Sequence, residues 1–283
     1  MLESLWENPG CVDGLCREVF IGLPKFIHTG FYIGAGMMMA VFIMASYMKI
    51  QVWLSGSDEE DSPDLKGVTP LGVIIQSLTT LISFECLFAY RVKARNVVRQ
   101  WFLIFTMWSF YLLLIGTALV AFDYDFMHGA ILQGTVWQIF SWVMDMSGLF
   151  LLAGVMFFLL RRYVFTPDRI VGNFEDAMIM ILLALVVLSA FVLEGTRLAV
   201  QDFPNHWSPV GDFFGIVINA VFFESKSFLR LFYIVAWTVH IVFSFAFILY
   251  IPFSKQFHMF ATQITTANVA NRVKYRDGLM HRD

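Results

Sequence analysis

The sequence predicts an all-α protein, a polytopic bundle of about six transmembrane helices with both termini in the cytoplasm. Hydrophobic residues make up 58% of the 283 positions and charged residues only 14%, whereas a soluble domain usually carries about 25% charged residues. The mean hydropathy is +0.69. Aromatic residues account for 17% of the chain, so the helices carry apolar side chains on all sides, which is typical of helices surrounded by lipid.

Six segments are long and apolar enough to cross a bilayer, which takes about 20 residues in a helix. They are residues 26–47, 68–89, 97–122, 135–160, 177–196 and 228–252. The apolar stretch at 210–224 is shorter and follows two prolines. We therefore expect it to form an interfacial helix on the outer face rather than a seventh span.

Basic residues give the predicted orientation, because lysine and arginine collect in cytoplasmic loops. Four lie at the junction of spans two and three, and three follow span four: Arg91, Lys93, Arg95, Arg99, Arg161, Arg162 and Arg169. Both loops and the basic tail are therefore predicted to be cytoplasmic, and an even number of spans places the amino terminus there too. We predict one transmembrane domain over 1–283, with an extra helix and an acidic outer loop at 1–67, a five-helix core at 68–262 and a tail at 263–283.

Composition also excludes some classes of function. The net charge of −3 comes without a basic face, which excludes nucleic acid as a partner. Three cysteines are too few for the four thiolates of an iron–sulfur cluster or an all-cysteine zinc site. Any redox metal must therefore be bound by other side chains, and membrane lipid is the expected partner of the helix surfaces.

Ionisable side chains within spans are candidates for function, because burying one costs at least about 2.5–3.5 kcal/mol on insertion scales. Asp145 lies near the centre of span four and His240 near the centre of span six. Glu194 and Arg197 lie three residues apart near the outer end of span five. This spacing allows an ion pair on one helix face, so a structural role and a functional one are both open.

His240 lies in an apolar stretch, where both nitrogens of its ring need a partner. A hydrogen bond to another helix is one interpretation, and an axial bond to haem iron is the other. His258 lies 18 positions further along, which is five turns of a continuous helix, so the two side chains would share a face about 27 Å apart. They cannot bind the same iron, but each could hold one of two stacked haems.

The segment Pro252-Phe-Ser-Lys-Gln-Phe-His258-Met-Phe, with His240 upstream, resembles the Pro-Phe-Ser-Lys-x-x-His-Met signature of a membrane cytochrome b family. This family is typified by the gamma subunit of respiratory nitrate reductase and includes membrane subunits of heterodisulfide reductase and of transmembrane redox complexes of sulfate reducers. Residues 145–163, 191–197 and 268–274 agree more weakly. The resemblance implies a cytochrome b-like core at 68–262, one or two b haems bound through His240 and His258, and a multi-pass location in the prokaryotic cytoplasmic (inner) membrane.

Span three departs from the family pattern. The family carries a second histidine pair, ten residues apart, on the matching helix, whereas span three has no histidine. Alignment of Met107-Trp-Ser-Phe with the family's His-Trp-Ser-Phe puts Met107 and Thr117 at the ligand positions. A thioether can bind haem iron opposite histidine, although a methionine in a span more often packs. His28, at the predicted cytoplasmic start of span one, is another candidate at the depth of His258; the alternative is an interfacial residue beside Lys25.

The resemblance implies an electron-transfer subunit of an anaerobic respiratory complex. It would exchange electrons between menaquinone and an iron–sulfur subunit on the cytoplasmic side, and a periplasmic multihaem cytochrome c is a further predicted partner. Asp145, Glu194 and Lys255 are the candidates for exchanging protons with the quinone, and no catalytic residue is predicted. A subunit without haem that anchors redox partners and binds quinone is the alternative. A transporter ranks third, since no pair of interrupted spans suggests an inverted repeat.

Overall fold

The computed structural model of the protein describes residues 22–55, 97–165, 174–201, 207–222, 225–254 and 257. These residues form an all-helical structure, which confirms the predicted fold class. Its helices are α1 (Lys25–Ser55), α2 (Val97–Asp125), α3 (Gly134–Tyr163), α4 (Phe174–Val200), α5 (Pro209–Val221) and α6 (Lys226–Tyr250), and a 3-10 turn at Ile251–Phe253 follows α6.

Five of the described helices, all except α5, are long and apolar enough to cross a membrane. They coincide with five of the six predicted spans and extend past them at most ends, because a helix continues beyond the apolar window that defines a span. The remaining predicted span, at 68–89, lies outside the described residues. The short helix predicted at 210–224 is present as α5, and its predicted position at the outer membrane interface stays a prediction.

The chain divides into two compact units. The first comprises Met1–Met37 and Phe105–Phe247, and the second comprises Met38–Ile104 and Ile248–Asp283. In the second unit the ammonium group of Lys49 lies 5.5 Å from the centre of the Phe257 ring. The contacts discussed below all lie in the first unit. The prediction of a single domain over the whole chain stays a prediction.

Helices α2, α3 and α4 run antiparallel to their neighbours in sequence. Along the α2–α3 contact, Gly116 faces Met144 and Gly154 faces Thr106. Residue numbers therefore decrease along α3 in the direction in which they increase along α2. Helix α4 packs against α3 in the same alternating sense, with Gly148 of α3 facing the ring of Phe191. Buried aliphatic and aromatic side chains fill this contact: Leu151, Val155, Ala184, Val187 and Phe191.

Helix α6 runs antiparallel to α4 and begins where α4 ends. The ammonium group of Lys226, the first residue of α6, donates to the carbonyl oxygens of Ala199 at 3.2 Å and Val200 at 3.3 Å. A cation at this place binds the last carbonyls of α4, which have no partner within their own helix. We call this end of the first unit, where α3 and α6 begin and α4 ends, the α5 end, because α5 packs there.

Helix α1 runs parallel to α6. Leu23 packs with Tyr233, the ring of Phe31 lies 5.6 Å from that of Trp237, and Gly34 faces Phe245 further along. Position along α1 therefore rises with position along α6, and α1 begins at the α5 end. The direction differs from the prediction, in which six alternating crossings make α1 run opposite to α6.

Glycines allow α4 and α5 to approach each other at backbone distance. A Cβ atom added to Gly195 would lie 2.6 Å from the amide nitrogen of Gly215, and one added to Gly211 would lie 2.9 Å from Cγ of Glu194. The ring of Phe214 stacks on that of Phe191 with centroids 5.8 Å apart. Close packing of this kind is how helices associate in lipid, where no hydrophobic force drives them together.

We expect Gly195→Ala to destabilise the protein by about 1–3 kcal/mol, because the added methyl group forces α4 and α5 apart. The measurement is unfolding of the purified protein in detergent, followed by circular dichroism. Gly30→Ala is the matched control, since Gly30 also lies within a helix but a Cβ atom added there would have nothing within 4 Å. Equal stability of the two variants would contradict the close α4–α5 contact.

The direction of α1 can be tested by labelling single cysteines from either side of the membrane. The background carries Cys11→Ser, Cys16→Ser and Cys86→Ser. Lys25→Cys at the start of α1 should be labelled from the same side as Met127→Cys, which follows α2 at the α5 end, and from the opposite side to Phe165→Cys, which follows α3. Six alternating crossings predict instead that Lys25→Cys is labelled together with Phe165→Cys.

Candidate functional site

The first turn of α5 is held by a carboxylate from α3. The amide nitrogen of Val210 donates to Oδ2 of Asp145 at 2.7 Å, and the amide nitrogen of Gly211 approaches the same oxygen at 3.4 Å. Pro209, the first residue of α5, has no amide hydrogen to donate. Asp145 is buried, with 6% of its surface exposed. It accepts the hydrogen bonds of amides that a capping side chain normally satisfies.

Ser208 precedes α5 at the usual capping position, but its side chain makes no capping bond. Its hydroxyl instead lies 2.6 Å from the hydroxyl of Ser141 on α3. Ser141 and Asp145 are four residues apart, so they lie on one face of α3. This face of α3 therefore binds both the residue before α5 and the first turn of α5.

The ion pair that the spacing of Glu194 and Arg197 allows is formed. Nη2 of Arg197 lies 2.6 Å from Oε1 of Glu194 and Nε lies 3.2 Å from Oε2, a two-pronged arrangement that is stronger than a single contact. Nη1 donates to Oε1 of Gln201 at 3.0 Å. The guanidinium group also lies 5.8 Å from the ring of Trp137, which supplies a favourable cation–π contact.

Asp145 has two further carboxylates near it. The carboxylates of Glu194 on α4 and Asp212 on α5 both lie close enough to Asp145 to interact with it electrostatically. Arg197 is paired with Glu194, and Tyr233 of α6 also lies near its guanidinium group. Glu194 thus interacts both with Asp145 and with the guanidinium group of Arg197.

The hydrogen bond to another helix, one of the two interpretations of His240, is present. Nδ1 of His240 on α6 lies 3.0 Å from the hydroxyl oxygen of Ser189 on α4. The same hydroxyl donates its single proton to the carbonyl oxygen of Val186 at 2.9 Å. In the tautomer that carries the ring proton on Nδ1, His240 donates to Ser189, and Nε2 is then the basic nitrogen.

Met107 lies at a different level from His240. The ring of Phe110 on α2 lies 6.3 Å from that of Phe247 on α6, and the two helices run in opposite directions. On α6, His240 lies seven residues from Phe247 toward the α5 end. On α2, Thr117 lies seven residues from Phe110 toward the α5 end, whereas Met107 lies three residues from Phe110 in the opposite direction. At about 1.5 Å per residue, Met107 and His240 are about 15 Å apart along the helix axis and cannot bind one iron.

The direction of α1 bears on His28. Its ring packs edge-on against Tyr32 with centroids 5.2 Å apart, and this part of α1 lies beside the first half of α6. No contact of the described residues tests the predicted pairing of His28 with His258, which stays a prediction. His258 and Lys255 lie outside the described residues, and their predicted roles stay predictions.

Sequence reasoning missed several polar residues of the site: Trp137, Ser141, Ser189, Gln201 and Ser208. Serine and glutamine are common in membrane helices and carry no charge, so none of them stands out singly. A usable signal was present on α3, where Ser141 precedes Asp145 by one turn on the same face. Among the described residues, no group of three or more His, Cys, Asp or Glu side chains is arranged to hold a metal ion.

The chain is similar to two redox proteins. It is 28% identical over 242 residues to the EtfAB:quinone oxidoreductase of Syntrophomonas wolfei subsp. wolfei, covering 80% of this chain and 31% of that protein. It is 23% identical over 129 residues to the probable iron-sulfur-binding oxidoreductase FadF of Bacillus subtilis, covering 45% of this chain and 18% of that protein. The chain thus spans less than a third of the length of either relative. No family model and no solved structure matches it.

Breaking the buried ion pair should be costly. We expect Arg197→Met to destabilise the protein by about 3–5 kcal/mol, because Glu194 would keep a buried charge without its partner. The double variant Glu194→Gln, Arg197→Met should recover a large part of this loss. Unfolding in detergent measures all three proteins.

The control for this prediction is Lys25→Met. Lys25 is exposed at the start of α1. Water and headgroups compensate an exposed charge, so its removal should change the stability by less than about 1 kcal/mol. A loss for Arg197→Met as small as that of the control would refute the energetic importance of the Glu194–Arg197 pair.

Proposed function

We propose that this chain is the membrane subunit of a quinone-linked oxidoreductase that exchanges electrons between menaquinone and an iron–sulfur protein. The observation that carries the proposal is the similarity, over 80% of the chain, to a protein named as a quinone oxidoreductase. The second relative is named as an iron-sulfur-binding oxidoreductase, which supports a partner of that kind. Five long apolar helices suit a substrate that is dissolved in the lipid.

The finer part of the proposal is b-type haem as the electron carrier, with His240 as one axial ligand. An axial imidazole normally donates its second ring N–H to a fixed acceptor, and Ser189 offers that acceptor to Nδ1 of His240 at 3.0 Å. The residues present fit one axial bond through Nε2, and the haem would supply one-electron transfer. His258 would serve a second haem.

The iron–sulfur partner is proposed to dock at the end of the bundle opposite the α5 end. Arg161 and Arg162 close α3 at that end, and a basic sequence at 91–99 precedes the body of α2. Because basic residues collect on the cytoplasmic side, we propose that this end faces the cytoplasm of a prokaryote and that the protein lies in the inner membrane. The names of the relatives lend no support to a periplasmic cytochrome c.

A subunit without haem that anchors redox partners and binds quinone is the second candidate. Thr117 favours it, because this residue occupies the level of His240 on α2 and its hydroxyl donates to the carbonyl oxygen of Leu113 at 2.9 Å. The described part of α2 thus offers no second imidazole at that level. Asp145 and Glu194 are the proposed proton-exchanging groups in either case.

The test of the haem proposal is a dithionite-reduced minus oxidised spectrum, with a pyridine haemochrome assay, of the full chain purified with its partners in mild detergent. We expect the bands of haem b. His240→Ala should lower the ratio of haem to protein by about half or more, since each haem needs its axial ligand. Ser189→Ala should keep the haem and shift its midpoint potential, because the imidazole loses the acceptor at Nδ1.

Two outcomes separate the candidates. If the wild-type protein contains no haem b but menaquinol still reduces the iron–sulfur partner, the subunit without haem is correct. If menaquinol transfers no electrons to the partner in either the wild-type protein or Ser189→Ala, the quinone-linked function itself is refuted.

A further inference from the structure

The seating of α5 depends on one ionisable group. The two amide contacts that fix its first turn both end on Oδ2 of Asp145. The helix dipole adds an attraction between this carboxylate and the amino terminus of α5. A protonated carboxyl group has no net charge, so it loses that attraction and one of its oxygens becomes a donor.

Asp145 lies well inside the bundle, and so does the start of α5. Asp145 is eleven residues from Gly134, the first residue of α3, which corresponds to about 17 Å along the helix. The other end of α5 lies nearer the surface, where Ile218 packs with Ala199 and Val200 at the end of α4. Helix α5 therefore starts inside the bundle, beside Asp145, and its last turn lies at the end of the first unit where α4 ends.

The carboxylate of Asp145 has other carboxylates near it. Glu194 of α4 and Asp212 of α5 both interact with it electrostatically, and the guanidinium group of Arg197 pairs with Glu194. Apolar side chains of α3, α4 and α5 pack around this place, and apolar surroundings disfavour the charged form of a carboxyl group. A proton on Asp145 removes one negative charge at the position where it also weakens the hold on α5.

We propose that Asp145 is a proton-operated latch on α5. As a carboxylate it binds the first turn of α5 and keeps the helix seated on α3 and α4. When it takes up a proton from the aqueous phase at the α5 end, it releases the first turn, and α5 moves away from α4. The latch does not depend on the proposed redox function, since it requires only these contacts and a proton.

Release of α5 uncovers the ion pair. Gly211 of α5 lies against Cγ of Glu194, so the seated helix covers this side of the Glu194–Arg197 pair. In the released form, water reaches Glu194 from the α5 end. The latch thereby controls access of protons to the buried charges of α4, whichever reaction uses them.

The experiment measures the distance between α5 and α3 as a function of pH. Spin labels are attached to Val217→Cys on α5 and Ile139→Cys on α3, whose side chains are 46% and 54% exposed, in the full chain with Cys11→Ser, Cys16→Ser and Cys86→Ser. Electron–electron double resonance then gives the distance distribution from about pH 8 to about pH 5, since burial disfavours the charged form of a carboxyl group. We expect a second, longer distance to appear on acidification, with about a tenfold rise in the ratio of released to seated α5.

Asp145→Asn is the decisive variant, because its side chain fits the same space but carries no charge at any pH. It should show the longer distance at both ends of the pH range, with no pH dependence. Asp145→Glu keeps a titratable group and should keep the pH dependence, which guards against misfolding of the first variant. Asp176→Asn removes a carboxylate at the far end of α4 and should behave as the wild-type protein does.

Two outcomes would overturn the latch. One is a distance distribution in the wild-type protein that does not change with pH. The other is a pH dependence that persists in Asp145→Asn; if it disappears in Asp212→Asn, the proton is assigned to that carboxylate instead.

Discussion

The bond between the carboxylate of Asp145 and the backbone of α5 is the contact around which the α5 end is organised. A helix that starts among apolar side chains must have its first amides satisfied by protein groups, because an apolar environment offers no acceptor. Asp145 satisfies them from α3, which leaves Ser208 to pair with Ser141. With the first turn held in this way, α5 lies flat on α4 at Gly195. The burial of Glu194 and Arg197 under α5 then follows.

The transmembrane helices could be predicted from the sequence because the cost of exposing a backbone to lipid gives each span a long apolar signature. Five of them are present among the described residues. The direction of α1 could not be predicted in the same way. Hydropathy reports that a segment is surrounded by lipid or protein, but not which neighbour it packs against. When directions are assigned by counting alternating crossings, one segment wrongly counted as a span reverses the assigned direction of every segment before it. Contacts such as Phe31 with Trp237 contain the missing information.

The ionisable residues of the candidate site could be predicted from the sequence, whereas their uncharged partners could not. Asp145, Glu194, Arg197 and His240 were identifiable because an ionisable group in a membrane helix is costly and therefore conspicuous. Their partners were not. Ser189 and Ser141 cost little to bury and can bond their own helix backbone, so only the three-dimensional arrangement distinguishes a serine that orients His240 from one that does not. For Met107, the level on α2 separates the side chain from His240, and its role as a ligand stays a prediction.

The way in which α3 holds α5 has a consequence for how this part of the chain can vary. Asp145 recognises main-chain amides and not side chains, so the outward-facing positions of α5, such as Phe213 and Ile216 with more than 60% of their surface exposed, are free to change without loosening the attachment. Position 145 has no such freedom. The surface that α5 presents to its surroundings can thus be remodelled, by drift or by design, while the joint beneath it is retained.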